Sequence, residues 1–130
     1  VRGCADAKLV DVARVVAAGL LAAGDDISVC LDPSLDEGLG RALRSVGVAV
    51  TTASDEDWYA SLGASRVRLV GGNPSRAADE ADGDPDLALW ANEVTSAPQV
   101  ELLPFLREQS VSMTAHRFGN PDAGVLSVRL

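Results

Sequence analysis

The chain has 130 residues, 47% of them hydrophobic, and 19 acidic side chains against 11 basic ones give a net charge of −8. That length builds one domain with a real core, and the apolar content excludes wholesale disorder. The acidic balance argues against nucleic acid or an anionic membrane surface as a main partner, because both reward clustered Lys and Arg.

No apolar run is long enough to span a bilayer, so no membrane insertion is expected. The opening "VRGCADAKLV" lacks a charged leader with an apolar stretch and cleavage site, and it lacks an initiator Met. The first point predicts no signal peptide, the second a fragment or processed chain. Cys4 and Cys30 stand far apart and form no CxxC pair, which fits a reducing, cytoplasmic setting. Cys4 reads as a loop thiol and Cys30 as a small core residue.

Residues 8–23 read as a helix with Lys8, Asp11 and Arg14 on one narrow polar stripe. The other faces are apolar, which predicts burial on most sides. "ISVCL", 27–31, is a short covered strand. Ser34 and Glu37 have capping-box spacing before a helix over about 35–46 with Leu35, Leu39, Leu43 and Val46 inward. "VAVT", 48–51, is a strand. Ser54 with Asp57 caps a helix through Trp58 and Leu62, and "RVRLV", 66–70, follows as a strand. Asn73-Pro74 starts a short helix, and "DGDP" is a turn. "LALWA", 87–91, is a strand. Ser96 and Gln99 form a further box opening a helix over 98–108, which Pro104 should kink or split. "VSMTA", 111–115, is the fifth strand.

Helix and short apolar strand thus alternate, with helical links of the length that parallel pairing needs. The expected fold is α/β: a doubly wound, Rossmann-like, mainly parallel five-stranded sheet with helices on both faces and a C-terminal extended tail. Residues 1–115 make the α/β domain and 116–130 a docking tail, since "GNPDAG" is turn chemistry and "VLSVRL" has strand propensity without a covering helix.

In such a sheet, ligands bind beyond the carboxyl ends of the strands, where Asp32, Thr51, Thr52, Gly71, Gly72, Asn73, Asn92 and His116 fall. "LVGGNPS" is the best phosphate-cradle candidate, and it supports an alternative reading as a small nucleotide- or phosphate-binding domain. It is neither GxGxxG nor GxxxxGK[ST]. A single His and two isolated Cys cannot make a zinc site, and GxSxG is absent. Asp25-Asp26 and Asp55-Glu56-Asp57 read as helix-end charges, and Trp58 and Trp90 as core or interface anchors. No catalytic, cofactor-binding or metal residue is assigned.

"VELLPFLREQSVSMTAHRFGNP", Val100 to Pro121, resembles the C-terminal region of the proline utilization A family, most closely in "LLPFLREQ" and "TAHRFG". "RVRLVGG" and "DLALWANEVTSAPQVE" are similar more loosely. That family joins proline dehydrogenase to L-glutamate-γ-semialdehyde dehydrogenase. In its longer members, a non-catalytic domain like the dinucleotide-binding fold of aldehyde dehydrogenases packs on the catalytic modules and helps close the substrate-channelling tunnel. The resemblance implies that role here, with FAD and NAD belonging to the parent enzyme, no cofactor bound by this chain, and partners in the catalytic modules or a second copy. It makes "HRFGNP" a lock on the tail: polar contacts from His116, Arg117 and Asn120, an apolar anchor in Phe118, a sharp turn at Gly119 and a fixed direction at Pro121.

Overall fold

A computed structural model describes residues 1–63, 66–107, 116–117 and 120–121. The predicted strand over 111–115 lies outside the described residues, as do Phe118, Gly119 and residues 122–130 of the tail. The described chain forms a five-stranded sheet of β1 (Arg2–Gly3), β2 (Val29–Leu31), β3 (Val50–Thr52), β4 (Arg66–Val70) and β5 (Ala88–Trp90), in the order β3-β2-β1-β4-β5. Every pairing in it is parallel, as the helical links require. The doubly wound α/β expectation holds, and one described strand was not expected from the sequence. The opening helix does have a strand before it: Arg2–Gly3 is the central strand, and sequence periodicity cannot register two residues, one of them charged.

Helix α1 (Leu9–Ala23) follows β1. Its buried positions are Val12, Val15, Val16, Ala18 and Gly19, all on one side. The expectation of burial on most sides is therefore wrong: Leu9, Val10, Leu20 and Leu21 face outward. The next helix also departs from its predicted cap. It runs as α2 (Pro33–Leu35), a π-helical turn (Asp36–Gly40) and α3 (Arg41–Ser45). The cap is Asp32, whose carboxylate accepts the Ser34 N–H at 2.9 Å, with Pro33 in the first turn. Ser34 instead donates its hydroxyl to the same carboxylate at 2.6 Å.

Two predicted caps are present. Ser54 accepts the Asp57 N–H at 3.1 Å at the start of α4 (Asp55–Ala60), and Asn73 accepts the Arg76 N–H at 3.2 Å at the start of α5 (Pro74–Glu80). The Ser96–Gln99 box is not formed. Pro98 begins α6 (Pro98–Leu102), which leaves Ala97 at the cap position, and Thr95 accepts the Ala97 N–H instead. Pro104 divides the predicted 98–108 helix. The α-helix stops at Leu102, a 3-10 turn covers Leu103–Phe105, and Leu106 is extended, so no second half follows in the described residues.

Two apolar layers cover the sheet. On one face α1 and the α2–α3 segment bury Val12, Val15, Val16, Val29, Leu31, Leu35 and Leu43, with Phe105 against them. On the other, α4 and α5 enclose Cys4, Tyr59, Val67, Leu69 and Ala77. Strand β4 feeds both by alternation: Val67 and Leu69 enter the second layer, Val70 the first. In the tail, β6 (His116–Arg117) and β7 (Asn120–Pro121) pair antiparallel, His116 opposite Pro121 and Arg117 opposite Asn120.

Candidate functional site

The strand order reverses direction at β1, so the crevice between the loops after β1 and β4 is the topological switch point, where open α/β sheets bind ligands. A cavity of about 430 Å³ lies there. Its walls bring together Gly71, Gly72 and Asn92 from the sequence-predicted set with Asp6, Lys8, Asp11 and Glu93. Asp32, Thr51 and Thr52 end β2 and β3 and do not line it.

The loop geometry comes from glycine. Gly71 and Gly72 adopt φ of +72° and +73°, the left-handed region that side chains disfavour. At Gly72 an added Cβ would also meet Cys4 Sγ at 2.6 Å and Tyr59 Oη at 2.7 Å. The loop therefore packs directly on the core beneath it.

Two of that loop's N–H groups are already engaged. Gly72 donates to the Asp6 carboxylate at 2.6 Å, and Asn73 donates to Tyr59 Oη at 2.8 Å. Tyr59 in turn donates to the Asn73 carbonyl at 3.3 Å. A phosphate would need those donors and would meet Asp6, Asp11 and Glu93 against Lys8 alone. The residues present do not fit the pyrophosphate of a dinucleotide, which needs free N–H groups and a positive field.

Beneath the crevice, Arg2 is buried in the central strand. Its guanidinium donates to Asp55 at 2.5 Å, to the Ala53 carbonyl at 3.1 Å and to Cys30 Sγ at 3.2 Å, and it lies 5.4 Å from the centre of the Trp58 ring. Burial acts to lower the Arg2 pKa, and the bond to Asp55 leads the contacts that raise it above the ordinary value. Asp55 also accepts the Ala5 N–H at 3.2 Å, so a carboxylate expected only to complement a helix dipole ties β1 and its loop to α4. Cys4 sits in the loop after β1, as expected, and is fully buried there, while Cys30 is half-buried. Burial pushes the Cys4 thiol up to about 11, only partly opposed by Arg2. Such a thiol is protonated at neutral pH and is no nucleophile. Sequence reasoning missed Arg2 and Asp6 because each matters through a long-range partner, and Glu93 because only the fold brings it to the crevice wall.

A second buried pair fixes the chain after β5. Arg68 and Glu101 meet at 3.0 Å with both side chains 1% exposed. Arg68 also donates to the carbonyls of Leu69, Trp90 and Asn92, and Glu101 accepts the Thr95 N–H at 2.7 Å. The loop over 91–97 and α6 are thereby held to β4. Arg66 adds bonds to the carbonyls of Pro104 and Leu106.

Order, crevice and core together define a doubly wound α/β domain of Rossmann-like type. No family model, curated protein or solved structure matches the chain. No helix among the described residues is long and apolar enough to cross a membrane, and no group of three potential metal ligands occurs among them.

Proposed function

We propose that this chain is a non-catalytic packing domain of a cytoplasmic, bifunctional proline-catabolic enzyme, the role its resemblance to proline utilization A implies. It packs on the catalytic modules and helps close the tunnel that carries the proline-derived intermediate between active sites. FAD and NAD belong to those modules. The observation that carries the non-catalytic part is the engaged loop at the switch point. Asp6 takes the N–H of Gly72, and the crevice is lined with acid. The inert, buried Cys4 supports the same reading. The segment from Val100 to Pro121 carries the family part. It includes Glu101, which anchors α6, and the paired backbone of 116–117 with 120–121.

Two measurements test this. Titration calorimetry of the 130-residue chain with NAD and with ADP should give no binding heat, and saturable heat with either would favour a nucleotide-binding domain. The intact polypeptide encoded by the natural gene should oxidise proline through to glutamate without a lag. Deleting the region equivalent to residues 1–130 should introduce a lag and release the intermediate. An intact polypeptide without proline oxidation would refute the proposal.

A further inference from the structure

The exposed side of α1 is apolar. Leu9, Val10, Ala13, Ala17, Leu20 and Leu21 are all exposed, Leu21 at 83% and Val10 at 60%. At 3.6 residues per turn these six fall within one arc of roughly 120°, opposite the buried arc of Val12, Val15, Val16 and Gly19. α6 and the 3-10 turn after it pack beside α1 and add exposed Val100 and Leu103. The border of the arc is electrically quiet, because Arg14 is paired with Asp11 at 3.0 Å. The fifteen-residue helix therefore carries aliphatic residues on both sides, and a contiguous exposed apolar patch of this kind often marks an interaction surface.

We propose that this outward arc of α1 docks against an uncharged, apolar face of a module covalently joined to the chain. The inference rests on the reading that this domain packs on catalytic modules, and it names the surface that does so. Area argues against an obligate homodimer as the occupant. The six large aliphatic side chains on α1, α6 and the following turn are on average about half exposed, leaving roughly 200–400 Å² of apolar surface. Since interfaces are about 57% apolar, such a core belongs to a contact burying roughly 700–1,400 Å² in total. That lies inside the range of roughly 600–1,500 Å² for domain contacts within one chain and below the roughly 2,000–5,000 Å² of obligate homodimers. A tethered partner needs no more, because the linkage supplies a high effective concentration. Ala13 and Ala17, one turn apart, let the partner's backbone approach closely.

The test is cysteine labelling in the intact natural polypeptide, read site by site with mass spectrometry. Leu21→Cys reports the arc, and Ser61→Cys, exposed beyond α4 on the other side of the sheet, is the reference. Leu21→Cys should react about tenfold more slowly than Ser61→Cys, as expected for a face docked nine-tenths of the time. Buried Cys4 should stay unlabelled. Equal labelling in a polypeptide that still converts proline to glutamate would overturn the docking face and leave the functional reading intact. Protection in a polypeptide with no proline oxidation would keep the docking face and remove that reading. Protection that vanishes on dilution, as a sedimenting dimer dissociates, would assign the arc to a second copy and overturn the proposal. A gene encoding no further module would overturn it as well.

Discussion

Replacing Glu101 by Ala should be among the most damaging single changes in the chain. The substitution leaves the Arg68 guanidinium 1% exposed and without its carboxylate. It also strips the Thr95 N–H of its acceptor. Breaking a buried pair from one side costs about 3–5 kcal/mol, because the remaining charge stays desolvated. Against a total stability of roughly 5–15 kcal/mol this is a large fraction. For a chain of this size it corresponds to a melting temperature lower by roughly 10–20 °C. Glu101→Gln should fall between, since it keeps an acceptor for Thr95 while removing the charge. Arg68→Met combined with Glu101→Leu should recover most of the loss, because it removes the stranded charge along with its partner. Scanning calorimetry of the four proteins gives the comparison. If Glu101→Ala melts within 2 °C of the parent, the pair is not desolvated and the reasoning fails.

Gly19→Ala should destabilise by about 1–3 kcal/mol, since the new methyl would stand 2.9 Å from Phe105 Cε1, and denaturant unfolding of that variant with and without Phe105→Leu should show partial rescue. Asp32→Ala should lose about 1 kcal/mol through the α2 cap, whereas Ser34→Ala, the cap expected from sequence, should lose less; urea midpoints separate them. The Cys4 thiol is raised from an ordinary value of 9.0 to about 11, so its contribution to stability is complete below pH 9 and is lost as pH climbs toward 11. Melting temperatures of the parent and Cys4→Ala should therefore converge over that interval, and parallel alkaline slopes would show that the thiol is not buried.

The strands most legible in the sequence were those whose pattern is local. "RVRLV" falls on β4 residue for residue, because its alternation serves two apolar layers and its arginines find partners on α6 and the segment after it. β1 was invisible for the opposite reason. Its two residues pair on both sides with strands far along the chain, and Arg2 becomes tolerable at the sheet centre through distant partners, Cys30, Ala53 and above all Asp55, 53 residues away. The missed caps share one cause. Asp32-Pro33 has the same form as Asn73-Pro74, where the cap was read correctly, and in each the residue before proline takes the cap. Ser34 and Ser96 matched a spacing rule while proline had already fixed the helix start elsewhere. In the candidate site, the glycines of the β4 loop were legible as turn chemistry. What occupies their donors was not, because Asp6 lies 66 residues from Gly72.

The two buried arginines turn these local facts into one argument about the domain. Arg2 ties the central strand and the β1 loop to α4, and Arg68 ties the next strand to the β5 loop and α6. Both therefore brace segments that border the switch-point crevice, the place where open α/β sheets bind ligands. Here those segments are anchored by buried charge, and the N–H of the loop between them is filled by Asp6. The Arg68–Glu101 pair, buried on both sides, is expensive to rupture and nearly neutral to replace by apolar residues. What the charges add is therefore fixed position more than stability. The result is an acidic crevice of about 430 Å³ with anchored walls, beside a helix that turns an apolar arc outward.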